Sequence, residues 1–332
     1  MIAPVLVCRH ESWGRTCPLP TDLIAFAAHP VPTDAMQPRD LCAYLFLAIT
    51  WGLSFIVVLN VVHGFGWVGA VTLRALLAGI TLLLLATLRR RRLHFSPVYK
   101  HLVVVGATTV AGQLIGLSYA TPRIGTAMAA IFVAAIPLFS MLIGRLWGLE
   151  KLTATGVVGL VLGLGGIILL VGFPAQTVTP AFIHGSAACI GGALCAAFGS
   201  NYASVHLRDT DAWVVTSGSF LAGGLLTLPL LLWVPLPGMP SAREWLYLAV
   251  SGCIMSAMTY VLYFGLVSRI GATRSISVEF VVTLVAVGIG ALFLGESLSL
   301  LQLAGCATII SGCALVLGLL PMRRRPVSSS SG

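Results

Sequence analysis

Ten apolar runs of membrane-crossing length follow one another along the chain, at roughly 41–62, 66–88, 101–120, 124–146, 154–173, 181–204, 212–234, 244–266, 271–294 and 299–320. In hydrocarbon a backbone must satisfy its own hydrogen bonds, which only a helix or a closed barrel achieves. The runs are continuously apolar, without the alternation of barrel strands, so they predict helices. Each holds about 20 residues, enough to span a core of about 30 Å. The predicted fold is an all-α integral membrane protein of about ten transmembrane helices. Composition agrees: 58% of the 332 residues are hydrophobic and 9% charged, with a mean hydropathy of +1.00. A soluble domain carries about 25% charged residues to coat its surface, and no length remains here for a large soluble domain.

A formal net charge of +9 would raise nucleic-acid binding in a soluble protein. Here the basic residues fall between apolar runs and read as topology signals, with the lipid bilayer as partner and no nucleic acid. A cytoplasmic N-terminus places Arg39, Arg89 to Arg92, Lys100, Arg145, Lys151, Arg208, Arg269, Arg274 and Arg323 to Arg325 inside, against Arg123 and Arg243 outside. Both termini are therefore expected in the cytoplasm. Cys42, Cys189, Cys195, Cys253, Cys306 and Cys313 lie in or at the edges of apolar runs and read as small packing residues. Cys8 and Cys17 have no His or further Cys at ligand spacing, so neither a disulfide framework nor a metal site is expected.

Two flanking segments differ from the rest. Residues 1–39 carry Pro4, Pro18, Pro20, Pro30, Pro32 and Pro38, with no apolar run of membrane length. They also lack the three-part pattern of a signal peptide. This segment is expected to be disordered, with Met36 a candidate start. Residues 321–332 form a short basic and then Ser-rich tail.

Between the flanks the sequence repeats. Arg123-Ile124-Gly125-Thr126 recurs as Arg269-Ile270-Gly271-Ala272, 146 residues on. The same displacement carries Gly148-Leu149-Glu150-Lys151-Leu152 onto Leu294-Gly295-Glu296-Ser297-Leu298, and Gly159 onto Gly305. Two copies of one unit are indicated, over residues 40–173 and 181–320. Each copy holds five runs, an odd number, so the second enters the membrane in the opposite sense. Inverted repeats of this kind commonly serve alternating access.

Certain residues within the repeats form a family pattern: Trp51-Gly52-Leu53-Ser54-Phe55, Arg74, Tyr119, Pro137 and Gly148-Leu149-Glu150 in the first copy, then Gly295-Glu296 and Gly305 in the second. In order and spacing the chain resembles the ten-helix EamA-type transporters of the drug/metabolite transporter superfamily, over about residues 41–320. The resemblance implies a multi-pass secondary carrier of the bacterial inner membrane, often an exporter of amino acids, related metabolites or drugs, with no bound cofactor. It does not name the solute. The second copy departs from the pattern at Thr283, where Pro137 stands in the first, and at Phe198-Gly199, where Trp51-Gly52 stands. A proline-dependent bend is accordingly less expected in the ninth helix.

Two charges lie well inside runs, Arg74 and Glu279. A charge at a helix centre costs about 2.5–3.5 kcal/mol on insertion scales and usually faces the bundle interior or a wet cavity. Arg74 shares a helical face with Ala70, Ala78 and Thr81, and Glu279 with Ser275, Thr283 and Ala286. Arg74 reads either as a structural residue binding carbonyls or as part of a site. Glu279 is the stronger functional candidate, because its counterpart in the first copy is Val133 and the fold itself needs no carboxylate there. Helix rise places the two at depths within side-chain reach of each other. Trp51, Gln113, Tyr119, Asn201, Tyr202 and Tyr263, with Asn60, His63 and Tyr260, are further candidates for a cavity lining. For each the alternative is an interfacial belt or helix-to-helix hydrogen bonding.

Glu150 and Glu296 precede the last run of each copy and read as charges favouring a helix start. The pairs Gly112/Gly116, Gly144/Gly148 and Gly159/Gly163 match the GxxxG packing pattern. A small-molecule solute is the expected partner, and a homodimer is compatible with the sequence. A channel or a purely structural membrane protein stands as the alternative. A membrane-bound acyltransferase is a remote one, resting on the HxxxxD pattern from His206 to Asp211.

Overall fold

The computed structural model describes residues 36–149, 153–171, 179–285 and 300–316. The expectations for residues 1–35, for the tail, and for Glu150, Lys151, Gly295 and Glu296 lie outside the described residues. Every described element is helical.

The helical stretch Pro38–Leu88 is broken at Gly66, whose φ of 69° and ψ of 171° lie in a region that glycine enters without steric penalty. Unbroken, its 51 residues would run about 76 Å, far beyond a bilayer core of about 30 Å. The break divides it into α1 (residues 38–65) and α2 (residues 67–88). Both pack on α8 (Ala242–Ile270). α1 places Asp40 at Arg269, Trp51 at Thr259 and Phe65 at Trp245. α2 then brings Leu77 to Gly252 and Thr81 to Cys253. The chain must therefore turn back on itself at Gly66.

α3 (Tyr99–Ile124) contains a π-helical segment at Gly106–Gly112. Helical backbone continues to Val133, turns at Ala134–Ala135, and resumes as α4 (Ile136–Leu146). The sequence predicts one uninterrupted run here. Pro137, which has no N–H to donate to Val133 O and whose ring crowds that carbonyl, accounts for the break. α4 ends in a Schellman turn: Gly148 has a φ of 70°, its N–H bonds Arg145 O at 3.1 Å, and Leu149 N–H bonds Gly144 O at 2.8 Å. Gly144/Gly148 is thus a helix stop, not the packing motif its spacing suggests; a Cβ at Gly148 would meet nothing within 4 Å.

α5 (Ala154–Val171) is followed by α6 (Pro180–His206) and α7 (Ala212–Thr227), the last extended by a 3-10 turn, Leu228–Leu232. Thr179 caps α6 by accepting from Phe182 N at 3.1 Å, and Asp211 caps α7 through Trp213 N at 3.0 Å. α8 carries its own π-helical segment, Val250–Met258. α9 (residues 272–285) steps at Ser277 and continues helically through Thr283, in keeping with the missing proline. α10 spans Leu300–Val316. By length and composition Tyr99–Ile124, Pro180–His206, Ala212–Leu232, Ala242–Ile270 and the stretch Val57–Leu88, which contains the Gly66 break, suffice to cross a membrane, and shorter apolar helices accompany them.

Glycines set the close crossings. A Cβ on Gly116 of α3 would lie 2.5 Å from Ala188 O of α6, so these backbones meet without intervening side chains. In the α5–α10 crossing, Gly159 meets Gly312 O at 2.8 Å and Gly166 meets Gly305 O at 2.9 Å by the same measure. Partners that descend one helix while ascending the other mean an antiparallel crossing. A shift of 146 residues turns each contact into the other. The same shift carries Gly106 against Gly223 onto Gly252 against Leu77, so the π segment of α3 sits on α7 as that of α8 sits on α2.

Candidate functional site

The intramembrane charges meet polar groups where α1, α2, α8 and α9 approach. Arg74 of α2 donates from Nε to Ser256 Oγ at 2.6 Å. Ser256 in turn donates to Ser251 O at 2.8 Å, five residues back, which is the π-helical register. The π segment thereby turns the Ser256 lone pairs toward the guanidinium. Arg74 makes no hydrogen bond through its two terminal nitrogens among the described residues.

Trp51 of α1 donates from Nε1 to Thr259 Oγ1 at 3.0 Å. Its ring packs 5.2 Å from Tyr260 and 5.6 Å from Tyr263, and Phe220 of α7 meets Tyr260 edge-on at 4.8 Å. Tyr263 is tied to Ser200 Oγ of α6 at 2.6 Å. Because Ser200 already donates to Ala196 O, the tyrosine is the donor of that bond. Tyr44 is held likewise, donating to Ser277 Oγ at 3.1 Å while Ser277 donates to Arg274 O. A repeated device is evident. A Ser or Thr hydroxyl satisfies a helix carbonyl and offers its lone pair to an aromatic or cationic side chain.

Glu279 of α9 is 8% exposed, and among the described residues its carboxylate has neither a hydrogen bond nor a cation within 4.0 Å. Tyr44, Tyr260 and Tyr263 lie within its electrostatic reach, and Tyr260 also feels Arg74. Arg74 and Glu279 therefore do not form the direct pair that their depths allow. Each keeps unused hydrogen-bonding capacity, which is expensive in a dry interior. The arrangement can bind a solute carrying an anionic and a cationic group beside an aromatic wall, or hold a proton on the carboxylate.

Of the sequence candidates, Trp51, Arg74, Tyr263 and Glu279 come together. Asn201 does not join them. Its Nδ2 donates to Ser140 O at 3.0 Å, Ser140 Oγ at 2.9 Å and Ala197 O at 2.9 Å, which binds α6 to α4. Tyr119 lies against Trp67 at 5.2 Å and under the Arg123 guanidinium at 3.5 Å, near the far end of α3. Tyr202 stands in a separate stack with His206 at 4.1 Å and bonds His101 Nδ1 at 2.8 Å. Gln113 packs its backbone against Gly192 of α6. Sequence reasoning passed over Ser256, Thr259 and Tyr44. The first two had a signal, since Ser256, Thr259, Tyr260 and Tyr263 fall at i, i+3, i+4 and i+7, one polar face of a helix.

The HxxxxD pattern is not a catalytic pair. His206 Nδ1 bonds Tyr202 O at 3.2 Å, while Asp211 caps α7 and pairs with Arg91 at 3.3 Å.

Among curated proteins, the uncharacterized inner membrane transporter YedA of Escherichia coli K12 is 28% identical over 285 residues, covering 82% of this chain and 89% of its own. Protein PecM of Dickeya dadantii is 28% identical over 306 residues, 87% and 95% respectively. A protein of Streptantibioticus cattleyicolor named "Probable terminal-alkyne amino-acid exporter" is 24% identical over 301 residues, 86% and 96%. A protein of known crystal structure, 18% identical, matches with a TM-score of 0.71 over 86% of this chain and 99% of its own, which shows a common fold. The pattern of the EamA-like transporter family matches twice in tandem, at residues 40–172 and 184–318. The two matches take in the helices, the glycine crossings and both intramembrane charges, and the chain belongs to the EamA-like transporter family, as a membrane transporter and not an enzyme.

Proposed function

We propose that the protein is a secondary carrier that exports a small metabolite, such as an amino acid, or a drug across the bacterial inner membrane by alternating access. Its ten crossings form two inverted five-helix repeats, residues 40–173 and 181–320, with both termini in the cytoplasm. Solute binds where Arg74, Glu279, Trp51, Tyr260 and Tyr263 converge. The observation that supports this reading is the pair of intramembrane charges, Arg74 partly buried and Glu279 buried, set on different repeats, each with spare hydrogen-bonding capacity among the described residues. A zwitterion satisfies both charges at once: its carboxylate takes the terminal nitrogens of Arg74 and its ammonium takes Glu279. The name of the Streptantibioticus cattleyicolor relative supports an amino-acid solute.

Uptake into inverted membrane vesicles holding equal amounts of parent or Glu279→Gln protein tests the reading, with a panel of labelled amino acids and neutral analogues. The parent is expected to show saturable transport of a zwitterion and Glu279→Gln to lose it. Unchanged transport by Glu279→Gln would return the carboxylate to a structural role.

A further inference from the structure

An opening lies apart from this site, between α3 and α7. Its volume is 420 Å³, and its walls include Phe95, Tyr99, Leu102 and Val103 on one side and Leu221 and Leu225 on the other. Val103 is 43% exposed and Leu225 60%, so the opening faces the lipid and not the bundle interior. Gly218 lies at its base, where a Cβ would stand 2.6 Å from Leu102 Cδ1 and 3.3 Å from Phe95 Cδ1.

One end of this cavity adjoins the loop between α2 and α3, which carries Arg89, Arg90, Arg91 and Arg92. Arg89 and Arg91 lie over the Trp213 ring at 5.7 Å and 5.2 Å, and Lys100 Nζ lies 5.9 Å from the ring of Tyr99, itself a wall residue. Arg91 is paired with Asp211. Among the described residues, Arg89, Arg90, Arg92 and Lys100 have no carboxylate within 4.0 Å. Cations without a carboxylate neighbour favour an added anion. A free anion would gain nothing from the apolar walls, and a neutral apolar molecule nothing from the cationic rim. An amphipathic anion matches both.

We propose that this cavity binds an anionic phospholipid, one acyl chain lying between α3 and α7 and the phosphate held by Arg90, Arg92 and Lys100. Basic rims on membrane helices favour anionic lipid headgroups, and Tyr99 sits where an amphipathic ring meets the interface.

Native mass spectrometry of the protein in a neutral detergent tests this, with phosphatidylglycerol and phosphatidylcholine of identical acyl chains offered in competition. Phosphatidylglycerol is expected to be retained preferentially. Each of Lys100→Gln and Arg92→Gln should reduce its affinity about fivefold, the effect of one surface cation. Val103→Trp, at an exposed wall position, should weaken both lipids by filling the cavity. Inorganic phosphate alone should neither bind tightly nor displace the lipid. Equal retention of the two lipids, a preference that survives both charge removals, or displacement by inorganic phosphate would each overturn the proposal. Unfolding midpoints of lipid-stripped variants equal to the parent's establish that folding is not what changed.

Discussion

The two halves of the molecule agree in backbone devices and differ in chemistry. Both third helices carry a π segment at corresponding positions, Gly106–Gly112 and Val250–Met258, each packed on the second helix of the opposite half. The α5–α10 crossing maps onto itself under the same displacement. Three charged residues do not repeat. Arg74 corresponds to Phe220, Glu279 to Val133 and Asp40 to Ser186. The backbone devices are what the two copies have in common, whereas these charges stand in one copy only.

The largest effect should come from breaking the shared scaffold. Gly159→Leu places a side chain where even a Cβ lies 2.8 Å from a backbone carbonyl that cannot give way. Overpacking typically costs about 1–3 kcal/mol where neighbours can shift, and here they are backbone. Loss of monodisperse protein on gel filtration is expected, and a normal yield would mean that α5 and α10 do not cross this closely.

A smaller but more specific loss should follow from the asymmetric residues. A hydrogen bond to a charged group contributes about 1.5–3 kcal/mol, so Glu279→Gln should weaken apparent solute affinity about 10- to 100-fold at near-normal abundance. Val133→Gln, at the equivalent position of the other half, should do much less. If Glu279 also carries a proton, initial rates measured against pH will vary in the parent and flatten in Glu279→Gln. Equal effects at both positions would dissolve the distinction between the halves.

The ends of the halves differ too. Asp40 Oδ1 receives Arg269 Nε at 2.8 Å, joining α1 to α8, with the aspartate side chain 6% and the arginine 43% exposed. Arg123, the counterpart of Arg269, instead donates to Tyr119 O at 2.6 Å. A half-exposed pair contributes up to about 1 kcal/mol, so Asp40→Asn should speed amide exchange in the first turns of α1 by about fivefold. Exchange around Ser186 should not change. The smallest effect is expected for Ser186→Ala, because among the described residues the buried Ser186 Oγ has no partner. Its thermal midpoint should stay within about 2 °C of the parent's or rise, whereas a larger drop would expose a bond to that hydroxyl.

Much of this was legible in the chain. The apolar runs predict the helices, and Arg74 and Glu279 stand out because lipid excludes charge. Boundaries were less legible where backbone geometry governs. The α1–α2 turn falls at Gly66 because a positive φ is needed there, and the break before α4 follows from Pro137, which the hydropathy of residues 124–146 conceals. Among the site candidates, Asn201 and Tyr263 look alike in sequence as polar groups in apolar helices. Asn201 proves to be consumed by Ser140 and Ala197, while Tyr263 faces Trp51.

By itself the sequence determined the solvent of this protein, its helical class, its duplicated organisation and the two charges that must avoid lipid. Each of these follows from local composition, run length or regular spacing. Only the tertiary structure decided that Arg74 rests on Ser256, 182 residues away, that Trp51 reaches Thr259, 208 residues away, and that Glu279 has no hydrogen bond or ion pair among the described residues. Those outcomes depend on where a π-helical segment rotates a helix face and on how closely glycines let backbones approach. Which helices meet at such points is a long-range outcome that the spacing within one helix does not give.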